Sequence, residues 1–189
     1  MGKCCNKKSF KGAKGDKGAD GADGIDGVNG IVILYPNDNT PVATTGVVLE
    51  DLKSYTLPLG TLATNGSELI ITTAWRFTAT NDAKLIKVLF GGGGGNIIAT
   101  VTASTVQEQR VFIVNTITRQ SATTITNEFD ILVCDGITQQ LAHYHNFNTA
   151  PITVLDLSAN NIIVKTQGDG TVIGDIINDY LEVKIINNA

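Results

Sequence analysis

Residues 68–80, with the sequence ELIITTAWRFTAT, alternate large apolar side chains with smaller or polar ones, which is typical of a half-buried β-strand. Successive side chains of a strand point to opposite faces. One face of this strand therefore carries Leu69, Ile71, Thr73, Trp75 and Phe77. A second apolar run, KLIKVLF (84–90), follows the turn sequence NDA, and the two runs together predict a β-hairpin with one face in a hydrophobic core.

Similar short runs recur along the rest of the chain, separated by Gly, Asn and Asp turn signals every 8–14 residues. They lie at 31–35, 96–103, 109–118, 123–134, 137–145, 152–157, 161–167 and 179–186. No amphipathic helix longer than about ten residues is indicated, and VVLEDLKSY (47–55) carries at most a turn or two of helix. The pattern predicts an all-β fold, an antiparallel β-sandwich of the jelly-roll type.

A different pattern precedes these runs: glycine occupies every third position from residue 12 to residue 30. The glycines are Gly12, Gly15, Gly18, Gly21, Gly24, Gly27 and Gly30. A collagen triple helix needs this spacing because only Gly fits at its crowded axis. The repeat thus predicts a collagen-like Gly-X-Y neck of three chains, and hence a homotrimer; the alternative is a flexible Gly/Ala/Asp linker.

The neck contains no proline, so its six triplets lack the usual source of rigidity. Lys14 and Lys17 stand early in the repeat, and Asp20, Asp23 and Asp26 follow, so lysine and aspartate of neighbouring chains can pair. Such exposed pairs are individually weak. We therefore expect the neck to form only where a trimeric domain behind it raises the effective concentration of the three chains.

The distribution of charge limits the partners of this 189-residue chain, whose formal net charge is −4. Residues 1–30 hold six lysines and four aspartates, a balance of +2, whereas the remainder holds eight basic and fourteen acidic residues, a balance of −6. An acidic body argues against nucleic acid as a partner.

No run approaches the 18 or so apolar residues of a membrane span, and the start lacks the apolar region of a secretory signal, so no membrane insertion is expected.

Catalytic chemistry is not indicated, and we predict no enzymatic activity, no cofactor and no metal. The chain has two histidines, His143 and His145, and no nucleophile elbow of the G-x-S-x-G type. Their i, i+2 spacing places both imidazoles on one strand face. In a trimer three such pairs could surround an axial metal, but we favour solvent-facing or interface histidines. With Tyr144 and Phe147, in a loop up to Pro151, they form a candidate receptor-contact loop.

The GGGGG run (91–95) lacks the Lys-Ser/Thr of a phosphate-binding loop and does not open a helix. It predicts a hairpin turn or bulge, or backbone packed against a neighbouring subunit where side chains would not fit.

Six strand motifs resemble the C-terminal jelly-roll knob of bacteriophage fibre and tail-associated proteins. These are LPLGTL (57–62), WRF (75–77), FGG (90–92), ITR (117–119), LDLSANNIIV (155–164) and LEVKI (181–185). The resemblance covers roughly residues 55–187. It implies a trimeric knob behind an N-terminal virion anchor, often with collagen-like triplets between them, and it assigns no receptor-contact residues.

The sequence therefore predicts four regions: a virion-anchoring peptide (1–11), the neck (12–30), a connecting segment (31–55) and the jelly-roll knob (56–189). The anchor residues are Lys3, Cys4, Cys5, Lys7, Lys8 and Phe10. The expected protein is a homotrimeric phage head or tail fibre on the virion surface. Its expected partners are a capsid or tail protein at the N-terminus and a host glycan or protein at the knob. The alternative is a bacterial surface or exosporium collagen-like protein with a tumour-necrosis-factor-like knob.

Overall fold

Eleven strands form two antiparallel sheets in the part of the chain that the computed structural model describes, residues 31–92, 95–104, 108–135 and 141–186. The anchor and neck predicted for residues 1–30 lie outside these residues. The strands are β1 (Ile31–Asp38), β2 (Val42–Ala43), β3 (Glu50–Thr56), β4 (Glu68–Phe77), β5 (Ala83–Gly91), β6 (Asn96–Ser104), β7 (Gln109–Ser121), β8 (Thr124–Asp135), β9 (Leu141–Thr153), β10 (Ile163–Asp169) and β11 (Ile176–Ile186).

The strand order confirms the jelly-roll prediction. The large sheet has the order β1-β11-β4-β7-β8-β9, with β2 also on β11, and the small sheet has the order β3-β10-β5-β6. If β2, β8 and β9 are set aside, eight strands remain, four in each sheet, and the chain changes sheet after each of them except between β5 and β6, as in a double-sheet jelly roll. The β8–β9 hairpin is then an insertion that extends the large sheet beyond β7. Within the described residues no helix is long and apolar enough to cross a membrane.

The predicted hairpin of 68–80 with 84–90 is wrong, because β4 and β5 lie in different sheets and pair with other strands. The central strand β4 nevertheless turns its alternating face into the core as the sequence predicts. Leu69, Ile71, Thr73, Trp75 and Phe77 are all buried there. The indole N–H of Trp75 donates to Thr73 Oγ1 at 2.8 Å, so the ring is buried without an unsatisfied donor. Side chains of the small sheet complete the core, among them Ile86, Val88, Phe90 and Val164.

The segment 31–55 is part of the sandwich, which corrects its assignment as a connecting segment. β1 pairs with β11 from Ile31 to Asp38, with two register shifts. β3 pairs with β10 at the edge of the small sheet. Residues 50–55, expected to carry at most a helical turn, are therefore strand, because Leu52, Lys53 and Tyr55 gain burial on the sheet that local propensity does not measure.

Two further expectations concern turns. The glycine run behaves as predicted: β5 ends at Gly91, β6 begins at Asn96, and the two strands pair, with positive φ at Gly91 and Gly95. Residues 93 and 94 lie outside the described part. In contrast, 152–157 is not a separate strand: β9 ends at Thr153, and the chain then turns at Asp156, whose carboxylate accepts from the Ser158 N–H at 2.9 Å.

One buried carboxylate fixes the turn that leads into β11. Asp175 is 1% exposed. Its side chain accepts hydrogen bonds from Thr80 Oγ1 at 2.7 Å, Thr78 Oγ1 at 2.9 Å and the Val172 N–H at 2.9 Å. Burial acts to raise the pKa of this carboxyl, but the three hydrogen bonds outweigh it and hold the pKa below the ordinary value of 3.8.

We expect Asp175→Ala to lower the free energy of unfolding at pH 7 by about 2 kcal/mol, because three donors lose their acceptor. The depressed pKa means that this contribution is present above pH 3.8 and is lost as the pH falls through the folded-state value. Urea titrations at pH 7 and at pH values below 3.8 measure both effects. Asp169→Ala is the control, since it removes a carboxylate outside this network. Equal stability of Asp175→Ala and the wild type at pH 7 would show that the hydrogen bonds of Asp175 do not stabilise the fold.

Candidate functional site

The candidate receptor-contact residues lie on the inserted β8–β9 hairpin. His143, Tyr144 and His145 are consecutive residues of β9. Residue 147 also belongs to β9, and its side chain lies outside the described part. The backbone from 141 to 153 is strand, which corrects the expected loop, because β8 offers pairing partners from Thr124 to Cys134.

The register of the hairpin divides these residues between two faces. Asp130 lies opposite His145, and Ile131 lies opposite Tyr144. Since Ile131 is buried on the inner face, Tyr144 lies on the inner side of the sheet, and the two histidines lie on the outer side with Asp130. The structure thus brings both imidazoles onto one face, as the i, i+2 spacing predicts.

On the outer face one carboxylate oxygen joins the two histidines. Asp130 Oδ1 lies 2.6 Å from His145 Nδ1 and 2.9 Å from His143 Nε2. His145 Nε2 also lies 3.5 Å from Glu128 Oε1. These hydrogen bonds, that of His145 first and that of His143 next, lower the pKa of the Asp130 carboxyl. The cluster is exposed, so it fixes ring orientation more than it stabilises the fold.

On the inner face the hairpin forms one wall of a groove of about 740 Å³. The opposite wall is β6, the last strand of the small sheet, which contributes Thr100 to Ala103. β8 and β9 extend the large sheet beyond β7, and among the described residues the small sheet has no further strand past β6 to cover them. Tyr144 is 60% exposed at this wall.

The groove combines an aromatic surface with a few polar groups. Phe129 and Val133 form its apolar floor beside Tyr144, and the side chains of Gln109 and Asn146 supply amides. Concave sites that bind small ligands commonly have this composition, an apolar lining with a small number of placed polar groups.

A buried hydrogen bond joins the two sheets through β8 and β6, the strands on either side of the groove. The Asn127 side-chain amide donates to the Ile98 carbonyl at 2.7 Å and so ties β8 to β6. Asn127 and Ile98 are 3% and 4% exposed, and at such burial the bond excludes competing water.

Sequence reasoning found the β9 residues but not their partners on β8. Glu128 and Asp130 alternate with Phe129 in a run that predicts a strand. This alternation places the two carboxylates on one strand face, and it is the sequence signal that could have identified them. The pairing of Asp130 with His145 depends on the hairpin register, which the sequence pattern does not specify.

The predicted neck and anchor residues are not tested by the structure. Residues 1–30, with the neck glycines and the anchor lysines and cysteines, lie outside the described part. Among the residues that are described, no group of three or more His, Cys, Asp or Glu is arranged to hold a metal ion.

Comparisons with known proteins do not assign a function to this groove. No protein-family model matches the chain, and no curated protein matches it. The CBM2 module of the evolved Dit of Lactobacillus casei BL23 phage J-1 has a TM-score of 0.41 at 10% identity, with 78% of this chain and 76% of that one covered. A Shewanella oneidensis MR-1 protein of unknown function gives 0.36 at 14%, with 84% and 81% covered. At these TM-scores neither likeness supports an inference about function.

We expect His145→Ala to raise the pKa of Asp130 toward 3.8, because its principal hydrogen-bond partner is lost, and His143→Ala to raise it less. Carboxyl-detected NMR titration measures both shifts. Asp51, whose pKa is lowered by its hydrogen bond to Lys165, is the internal control and keeps its value. An Asp130 pKa that is unchanged in both variants would show that the cluster does not form in solution.

Proposed function

We propose that the protein is a homotrimeric bacteriophage fibre: an anchoring peptide attaches it to the virion, a collagen-like neck spaces it from the particle, and the jelly-roll knob contacts the host surface. The observation that carries this proposal is the junction at Gly30 and Ile31. The Gly-X-Y repeat ends at Gly30, and β1 begins at the next residue.

The direct connection of the repeat to the sandwich favours association of the three chains in the neck. Six proline-free triplets lose more chain entropy than they regain when three separate chains meet. A folded domain attached directly to each chain keeps the three repeats together at high effective concentration. A flexible linker has no need of an unbroken three-residue period, so the repeat favours the neck.

The groove beside Tyr144 supports the proposed contact with a host glycan. A tyrosine ring offers an apolar face to the C–H groups of a sugar and keeps its hydroxyl in water. The amides of Gln109 and Asn146 can donate to and accept from sugar hydroxyls. Three such grooves on one fibre act together, so the avidity of the trimer can exceed the affinity of one site by about 10²-fold or more.

The assignment to the virion is supported by the six knob motifs and by the order of regions in the sequence. The basic first eleven residues, which include Cys4 and Cys5, are the segment proposed to enter a capsid or tail protein. Mass spectrometry of purified particles tests this assignment directly, and absence of the chain from particles would contradict it.

We expect a native mass of about 60 kDa, three chains of 20.0 kDa, in multi-angle light scattering of the full chain. A triple-helical neck also hides Lys14 and Lys17 from trypsin, whereas a flexible linker exposes them. Gly21→Ala is expected to make the neck trypsin-sensitive, because a side chain does not fit at the axis.

Ala22→Gly is the matched control, since it changes the neighbouring position and leaves the glycine period intact. A mass of one chain would contradict the trimer. A trimer whose wild-type neck is cut by trypsin as fast as that of Gly21→Ala would contradict the ordered neck.

We expect Tyr144→Ala to abolish binding on a glycan array and to change the free energy of unfolding by no more than about 0.5 kcal/mol, because the side chain is exposed. Leu59→Ala is the control, a 65% exposed apolar residue outside the groove. Glycan binding that survives Tyr144→Ala would place the contact elsewhere on the knob.

A further inference from the structure

The proposed trimeric neck constrains where the sandwich meets its threefold axis. In a triple helix the glycines crowd together at the common axis, so each chain leaves Gly30 beside that axis. Ile33 is three residues further on, at most about 11 Å away along an extended strand. The start of β1 therefore lies close to the axis in all three copies.

The first three side chains of β1 are apolar and largely exposed. Ile31, Val32 and Ile33 are 63%, 47% and 54% exposed. β1 is also an edge strand of the large sheet, with one side free of pairing within the described residues. Exposed apolar edge strands are usually covered, because they otherwise promote aggregation.

On the outer face of the large sheet, Lys184 and Glu182 of β11 lie between β1 and β4, and beyond them the surface is again uncharged. Three successive cross-strand pairs between β4 and β7 point outward and carry no charge: Ile70 with Thr116, Thr72 with Val114, and Ala74 with Phe112. Their sequence neighbours Leu69, Ile71, Thr73 and Trp75 are buried inside, which fixes this orientation. We call this the neck-side face, defined by Ile31, Ile33, Ile70, Thr72, Phe112 and Val114.

Two ion pairs on the outer side of the large sheet are formed within the chain. Between β1 and β4, Lys184 Nζ lies 2.6 Å from Glu182 Oε2. Further along, the guanidinium of Arg76 binds both oxygens of Asp179, each at 2.8 Å. A second protein surface can cover this face without leaving one of these charges unpartnered.

The outer face of the small sheet has a different character. Lys165 and Gln167 on β10 reach Asp51 on β3 at 2.8 and 2.7 Å, and Lys87 stands on β5 beside them. Lys165, Gln167 and Lys87 lie on the side opposite the buried Val164, Thr166 and Val88. This polar face suits contact with water.

From these observations we infer that the neck-side face is the surface through which three copies of this chain pack around the fibre axis. The inference rests on the proposed trimer and adds the place of contact. The strands β1, β11, β4 and β7 span about 19 Å across and about 33 Å along, roughly 600 Å². That is the order of the roughly 800 Å² that each partner buries in a stable interface.

The test compares Ile33→Asp and Phe112→Asp, at the two ends of the neck-side face, with Ile97→Asp on the small sheet. Ile33 and Ile97 are 54% and 51% exposed, so the two substitutions are matched in burial. Sedimentation of the full chain is expected to show at least a tenfold weaker trimer for the first two variants and no change for Ile97→Asp. Circular dichroism confirms that each variant is folded.

Crosslinking gives a measurement that does not depend on weakening the trimer. In a Cys4→Ser, Cys5→Ser, Cys134→Ser background, Ile33→Cys is expected to crosslink between chains under mild oxidation, because its three copies meet near the axis. Ile97→Cys is expected to stay uncrosslinked.

Each outcome bears on one proposal or the other. A wild type that is monomeric overturns both the proposed fibre and this inference. A wild-type trimer that persists in Ile33→Asp and Phe112→Asp, without crosslinks through Ile33→Cys, overturns the inference alone. Weakening by Ile33→Asp but not by Phe112→Asp confines the contact to β1 and refutes the wider face.

Discussion

The two-faced character of β4 is the constraint on which the rest of the structure depends. Its inner side chains end in Trp75 and Phe77 and are buried against the small sheet. Because successive side chains of a strand point to opposite faces, the residues between the buried ones point outward. These outward residues include Ile70, Thr72 and Ala74. Pairing with β11 on one side and β7 on the other places β4 in the middle of the large sheet. One strand thus organises both the core and the face that we assign to the trimer.

The β8–β9 hairpin shows how a jelly roll gains a groove through an insertion that extends one of its sheets. Because the hairpin extends only the large sheet, its inner face passes the edge of β6 and leaves a groove. The Asn127 amide, bonded to the Ile98 carbonyl, links β8 of the large sheet to β6 of the small sheet. The outer face of the same hairpin carries the Asp130 cluster.

Neck and knob depend on each other in the proposed fibre. Triplets without proline do not associate alone, and an exposed apolar face such as that around Ile33 is unsuited to a free monomer. When the repeat runs into β1 without a spacer, the two features meet at the same axis. The trimer that results presents three Tyr144 grooves, and adhesion then depends on avidity more than on the strength of one site.

The sequence by itself determined the class of fold and most of the strands. The periodicity of residues 68–80 predicted which side chains of β4 are buried, because burial on one face imposes a period of two. It did not find β3 or the place of residues 31–38, because both depend on distant partners, β10 and β11, that local patterns do not identify. Only the tertiary structure decided that Asp130 lies beside His143 and His145 and that Tyr144 lines a groove on the opposite face. These placements follow from the β8–β9 register and from the edge of β6, and a shift of one residue in that register would exchange the two faces.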